Sequence, residues 1–370
     1  MNKKLLIFGI LFFMFSCDDS STDQNTDQII TIVKNFPCEQ NLQGEKILAD
    51  QFYENGSIDV LDTLLLIGIY KDTVKYNIYG VNSLQHLGTL GVVGDGPDEW
   101  NAIFHVNQYE VNQHGIMLWC ADVLKGLLLK VNLSKVIQAK SPKPIIEKTM
   151  NIKADIFPFN QLIYVNDEKV IGNLGYDEVN GGRIKSFNPQ KQELIKKVEF
   201  FPKIKNAQII PPMVLYNFYF AGFKKHPSKE LFVQSMSLFN RIDIFDANLE
   251  LIKSIVSGEN WDDNYYDAKK MDIMGAPLKG ITDGYSDLSV TKNFIFAALE
   301  NKKMNAAGEV KESQIKVFDW EGNPKCLIRV PDDLFAISVD AKEEYLYAND
   351  FNHEKILRYN IKKLAKEWKK

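Results

Sequence analysis

An all-β fold, a six-bladed β-propeller, is what this sequence predicts, and three observations carry the prediction. A five-residue phrase occurs six times: an aliphatic residue, two variable residues, Phe/Tyr/Val, then Asn or Asp. The copies are Ile78–Asn82, Leu128–Asn132, Ile184–Asn188, Ile242–Asp246, Ile315–Asp319 and Ile356–Asn360. Their closing positions lie 50, 56, 58, 73 and 41 residues apart, the length of one four-stranded blade. The sixth blade is one strand short, while a β-rich segment before the first blade, Ile29–Phe36, is claimed by nothing else. Pairing that segment into the last blade closes the ring and removes exposed sheet edges. The phrase reads as a strand entering a turn, because β-branched and aromatic residues suit a pleated surface and Asn/Asp suit the turn.

The first residues stand outside this fold. Lys3 and Lys4 precede an apolar run of 11 residues, Leu5 to Phe15. A run of that length is too short to cross a bilayer core, which takes about 20 helical residues. It reads as a secretory signal. Its Leu11–Cys17 end resembles a bacterial lipoprotein signal, which implies a leader over residues 1–17 and lipidation of Cys17. Ordinary cleavage near Ser16, leaving Cys17 a free thiol, is the alternative. Asp18–Gln28 is polar and acidic without an aliphatic residue, so it is expected to be a flexible tether. Acidic residues directly after the Cys resemble the export signal of surface-exposed lipoproteins of the Bacteroidota. That likeness implies an outer-membrane lipoprotein held to the membrane by its acyl chains, with the propeller over residues 29–370.

Blade one is expected to contain strands Leu61–Tyr70, Val74–Val81 and Gln85–Leu90. Blade four takes Leu231–Ser235, Asn240–Phe245 and Leu249–Val256, and blade five takes Asn293–Leu299, Ser313–Phe318 and Lys325–Val330. The charged stretch Glu300–Glu312 has no core residues and reads as an elongated hairpin. Asp72, Asp122 and Asp350 each stand ten residues before a closing position. A short carboxylate there would accept backbone N–H groups in the hairpin turn. After Asn360 the spacing turns helical with a basic face, so Ile361–Lys370 is expected to be a short, solvated helical cap.

Gly94, Gly96, Pro97, Glu99 and Trp100 form the most specific local motif. Two glycines and a proline dictate a tight turn, and the aromatic residue leads into blade two. The expected role is structural, locking blade one to blade two. Asp95, Asp98 and Glu99 could supply oxygen ligands to calcium, but they lack the EF-hand ladder. The motif resembles the Gly-x-Gly-Pro-x-Glu-Phe signature of the TolB-like six-bladed propeller lipoproteins of the Bacteroidota, with Trp100 in place of Phe. The strand–turn–strand around Asp350 is similar to NHL-type repeats. The resemblance covers nearly the whole chain; it implies the fold and the anchor and assigns no activity.

The chemistry-bearing residues are dispersed. Cys38, Cys120 and Cys326 are odd in number and far apart, and are expected to be buried free thiols. A net charge of −4 argues against a nucleic-acid surface. There is no Gly-x-Ser-x-Gly elbow, His-Glu-x-x-His pair or P-loop, and the five histidines show no metal-ligand spacing. Catalytic residues are therefore unknown, and neither metal nor cofactor is expected. Pro211–Phe220 reads as an inner strand. The link from Gly258 to Asp287 is rich in aromatics and carboxylates, a composition suited to sugar rings or a protein surface. Trp261, Tyr265, Tyr266 and Tyr285 are its ligand-binding candidates. The expected function is a lipid-anchored binding or scaffold module of the cell envelope, for a partner protein or an extracellular glycan. The alternative is a carbohydrate-active hydrolase or lyase with its site at the channel mouth.

Overall fold

The computed structural model describes residues 29–369, apart from 49–55, 70–72, 97, 101–102, 123, 153–160, 174–181, 212–217, 220–221, 258–266, 271–283, 300–302, 305–309 and 351–354. Six antiparallel blades follow one another along the chain. Blade 1 comprises Ile58–Leu61, Leu64–Gly68, Val74–Gly80 and His86–Val92. Blade 2 comprises Ile103–Asn112, Gly115–Asp122, Leu127–Asn132 and Ile146–Asn151. Blade 3 comprises Gln161–Asn166, Lys169–Asn173, Ile184–Asn188 and Glu193–Val198. Blade 4 comprises Gly222–Lys225, Leu231–Ser235, Arg241–Asp246 and Leu251–Ser257. Blade 5 comprises Tyr285–Val290, Phe294–Leu299, Val310–Asp319 and Pro324–Val330. Blade 6 comprises Leu334–Val339, Tyr345–Asp350 and Lys355–Asn360. First strands of blades 2 to 6 touch in succession and that of blade 6 touches that of blade 1, so the first strands form the inner ring.

Each blade packs both faces against its neighbours, so its second strands are buried along most of their length rather than at alternate positions. Leu64–Gly68 is buried at every position. One hydrophobic cluster fills each blade interface. Leu66 and Ile78 meet Leu118 and Val131 between blades 1 and 2. Ile171 and Ile184 meet Phe232 and Phe245 between blades 3 and 4. Val317 and Ile328 meet Ala348 and Leu357 between blades 5 and 6.

Five copies of the phrase lie on third strands and the sixth, Ile78–Asn82, begins on one and runs two residues past its end at Gly80; the structure shows why they recur. The closing side chain caps the next turn. Asn188 Oδ1 accepts from the N–H groups of Gln190 and Lys191 at 2.9 Å each. Asp246 Oδ1 does so for Asn248 and Glu250, and Asp319 Oδ1 for Glu321 and Asn323. Asn132 caps the short helix Leu133–Ala139 by accepting from Lys135 N at 3.0 Å. The earlier aspartate works the same way at Asp122, whose Oδ1 accepts from Lys125 N at 3.1 Å. Asp350 is buried at the end of its strand, and Asp72 lies outside the described residues. Lys303–Met304 pairs with the strand Val310–Asp319, extending the blade-5 hairpin.

An N-terminal strand closes the ring, but it is not Ile29–Phe36. Ile30–Val33 runs parallel to Leu251–Ser257 on the rim of blade 4. Glu39–Asn41 runs parallel to Pro324–Val330 on blade 5. Only then does Glu45–Ile47 pair antiparallel with Lys355–Asn360 and complete blade 6. The apolar segment covers the outer edge of a finished blade, while the closing strand is polar and is held by backbone pairing, a buried Ile47 and the Arg358–Glu45 ion pair at 2.7 Å.

The same path corrects the cysteine expectation. Cys38 and Cys326 form a disulfide, with Cα atoms 4.5 Å apart across 288 residues of sequence. Parallel rim pairing brings them together, and Leu327 N donates to Cys38 O at 2.9 Å. Cys120 remains a buried free thiol, and burial pushes its pKa up. Of Pro211–Phe220, residues 212–217 and 220 lie outside the described residues; Phe218 and Tyr219 are buried and not in a strand, and the first strand of blade 4 is Gly222–Lys225. The C-terminal helix, Lys362–Trp368, is anchored by Trp368 edge-on to Phe294 at 5.5 Å. Among the described residues no helix is long and apolar enough to cross a membrane.

Candidate functional site

An innermost strand has a free edge, and its backbone N–H groups need partners. Here side chains of one blade supply them to the next. Gln108 of blade 2 accepts from Tyr164 N at 2.9 Å and donates to Tyr164 O at 2.8 Å. Gln161 of blade 3 accepts from Phe223 N at 2.9 Å. Asp287 and Ser289 of blade 5 accept from Ile337 N at 2.8 Å and Val339 N at 3.0 Å. Ser338 of blade 6 accepts from Val60 N at 2.9 Å. At the blade 4–5 junction the backbone itself approaches: a Cβ on Gly222 would lie 2.5 Å from Leu288 Cβ.

This stitched ring encloses an axial cavity of about 520 Å³, lined by the later residues of all six inner strands. Asp59, Glu110 and Lys224 stand in it on blades 1, 2 and 4, and Asp287 of blade 5 lies near enough to Lys224 and Asp59 to feel their charges. Burial raises the Asp287 pKa. The Lys224 charge and the Ile337 N–H offset part of that rise, and the Asp59 charge adds to it. Toward the mouth, Glu110 accepts from Lys130 at 2.5 Å and from the Trp119 indole at 3.0 Å. Burial alone would raise its pKa, but these bonds outweigh it and lower it. Lys225 pairs with Glu230 at 2.9 Å, and Tyr164 donates to Asp167 at 2.6 Å.

His226 also lines the cavity, in a structural role. Its Nδ1 accepts from Ser228 N and Lys229 N at 3.0 Å each, so the ring is neutral and Nε2 donates to Lys292 O at 3.1 Å. Burial, then the nearby Lys229 charge, pushes its pKa down to about 4. A second polar cluster lies buried between blades 3 and 4. Asp243 accepts from Arg183 at 2.6 Å, from Arg241 at 2.7 Å and from Ser254 Oγ at 2.6 Å. Burial works against its charge, but the two guanidinium groups hold its pKa below the usual carboxylate range.

Among the sequence candidates, Trp261, Tyr265 and Tyr266 lie outside the described residues. Tyr285 is corrected to an interior residue. It opens the inner strand of blade 5, is fully buried, and meets Ser257 Oγ through its hydroxyl at 2.9 Å. The Gly94–Trp100 turn sits between blades 1 and 2. Glu99 Oε2 accepts from Gly96 N at 3.0 Å, and Trp100 is buried in the shared cluster. Lys125 of blade 2 donates to the carbonyls of Gly96 at 3.0 Å and Glu99 at 2.8 Å. A Cβ on Gly94 would lie 2.0 Å from Glu99 Oε2, so a side chain there would have to displace the Glu99 carboxylate. Pro97 lies outside the described residues. Among the described residues no three His, Cys, Asp or Glu side chains gather as metal ligands.

The fold and the axial cavity define a six-bladed propeller with a pocket on its axis, lined by polar and apolar side chains alike. The chain belongs to the TolB-like six-blade propeller family, which matches residues 36–342. A member of the DUF4221 family from Bacteroides vulgatus has the same fold, with 13% identity, 88% of this chain and 97% of that chain covered, and a TM-score of 0.54. A Bacteroides fragilis protein described as exported shares 13% identity over 90% of this chain and 98% of its own, with a TM-score of 0.53. At such identity the likeness speaks for the fold alone. No curated protein matches the chain in sequence.

Proposed function

We propose that this propeller is a binding module of the cell envelope, carried on an outer-membrane lipid anchor at Cys17 and the tether 18–28, and that it holds a partner protein or an extracellular glycan. The observation that carries the reading is the axial cavity: six inner strands fix a pocket in a rigid frame, of the volume small-molecule sites have. The Cys38–Cys326 bridge supports export, since disulfides persist in oxidising compartments. The exported description of the Bacteroides fragilis relative supports it as well. A hydrolase or lyase acting on glycans is the second reading, favoured by the carboxylates of Asp59 and Glu110, which line the cavity with Lys224.

Crosslinking of the protein in its native envelope, followed by identification of what it captures, tests the first reading. A dominant protein or glycan species supports it. Turnover of a glycan by the purified protein would move the assignment to the second. Palmitate labelling that survives Cys17→Ala would remove the anchor from the proposal.

A further inference from the structure

Resting on the reading of this propeller as a binding module, we propose that the axial cavity takes a monoanionic ligand, a carboxylate-bearing sugar of an acidic glycan, with Lys292 at the mouth meeting its charge. The lining carries three ammonium groups, Lys224, Lys225 and Lys292, against two carboxylates, Asp59 and Glu110. The cations stand together on blades 4 and 5, the carboxylates on blades 1 and 2. Most of these groups are already engaged. Glu110 takes the Lys130 ammonium and the Trp119 indole, and Lys225 pairs with Glu230. Asp59 and Lys224, each less than a tenth exposed, have partners of their own. Lys292 differs: it is exposed in the turn that follows Tyr285–Val290, and its ammonium has no partner among the described residues. Glu343 reaches the same turn but is taken by Thr291, Asn293 and Lys369. The neighbouring His226 ring feels the result. After burial, the charges of Lys229, Lys225 and Lys292 all push its pKa down, so this wall of the cavity is positive.

The uncommitted side-chain groups on this wall are donors. Ser289 Oγ and Ser338 Oγ line the cavity on blades 5 and 6 and accept from Val339 N and Val60 N. A hydroxyl also carries a proton to give, and neither serine donates to any group among the described residues. One free ammonium and two O–H groups call for a ligand with one negative charge and further oxygen acceptors, as a uronate has. A neutral sugar would forgo the charge-assisted hydrogen bond to Lys292, which is the stronger kind. A cationic sugar would meet that ammonium as a like charge. A dianion such as a phosphate monoester would bring in a second charge with no second free cation, and an unpaired charge taken out of water is costly. The cavity of about 520 Å³ has room for a ligand of this size.

The test uses the full-length protein in detergent, with saturation-transfer NMR and calorimetry. The probes are glucuronate and galacturonate, their neutral counterparts glucose and galactose, the cationic glucosamine and the dianionic glucose 6-phosphate. At least one uronate is expected to bind ten times or more tighter than its neutral counterpart, and added salt should weaken it. Lys292→Gln should remove at least that tenfold advantage with an unchanged melting temperature, since the side chain is exposed. Lys342→Gln, at an exposed lysine of the blade-6 turn outside the lining, should leave binding as it was. Val111→Trp, at a 57% exposed position on the mouth, should block binding. Equal binding of neutral and uronate probes, a preference for glucosamine or glucose 6-phosphate, or uronate binding untouched by Lys292→Gln overturns the proposal. So does a blank result with every probe; if envelope crosslinking then captures a dominant protein, the binding-module reading stands, and if it captures nothing, both readings fall.

Discussion

Replacing Asp243 by Asn tests the buried charge network between blades 3 and 4. The carboxylate takes three short hydrogen bonds, two of them from guanidinium groups, and none of these groups is more than 5% exposed. Asparagine keeps the shape but removes the charge and turns a donor toward an arginine. Breaking one partner of a buried pair costs about 3–5 kcal/mol, because the remaining charge stays buried without its counter-ion. With an unfolding entropy of about 2.1 cal/mol/K per residue over roughly 340 folded residues, each kcal/mol moves the melting temperature by about 1.4 °C. The expected fall is therefore about 4–7 °C in a thermal melt followed by circular dichroism. The surface pair Lys197–Glu199, with side chains 42% and 69% exposed, is the control. Glu199→Gln should change the melt by less than about 1 °C. The pH dependence has a definite sign. The folded Asp243 pKa is depressed, so its contribution is present above the unfolded value of about 3.9 and is lost as pH falls through the folded value. A melt of Asp243→Asn within about 1 °C of the parent at pH 7 would refute the assignment of stabilising work to this network.

Further outcomes follow from other parts of the ring. Cys38→Ser should cost about 2–5 kcal/mol, read as a lower urea midpoint that reductant reproduces in the parent protein. The His226 ring is neutral when folded and its pKa drops from about 6.5 to about 4, so its contribution is complete above the higher value and fades as pH falls toward the lower. About 3 kcal/mol should disappear across that window in urea titrations, and His226→Gln should flatten the difference. Deleting residues up to 28 should leave the melting temperature unchanged, whereas deletion up to 47 opens blade 6 and should lower it sharply; equal melts would remove the closing role of Glu45–Ile47.

The blades were legible because their signature is local. A third strand ending in Asn or Asp caps its own turn, so the cause and the pattern sit within five residues, as at Asn188 and Asp319. The rim and the channel depend on contacts between distant segments. Cys38 reaches Cys326 only because the N-terminal strands run parallel along finished blades, a route no Cys spacing announces. The inner strands differ from blade to blade, from Ile58-Asp-Val-Leu to Gly222-Phe-Lys-Lys, so they show no repeat. Their only signal is a polar residue within a short strand, such as Asp59, Lys224 or Ser289. Asp243 was hidden at a variable position of the phrase itself. Tyr285 was misplaced because Asp283-Gly284 reads as a turn continuing the long link, whereas the strand begins immediately after it.

The rim path has a mechanical meaning. Tension applied to the chain at residue 29 pulls along Ile30–Val33, which is zipped lengthwise to blade 4. Parallel strands loaded in this direction resist in shear, with all their hydrogen bonds sharing the load. Any residual tension meets a covalent stop at Cys38–Cys326 on blade 5. Glu45–Ile47, the three-residue strand that joins the two ends of the chain into a ring, lies beyond that stop and carries none of the pull. The propeller is built so that tugging on its leading end leaves its weakest seam at rest.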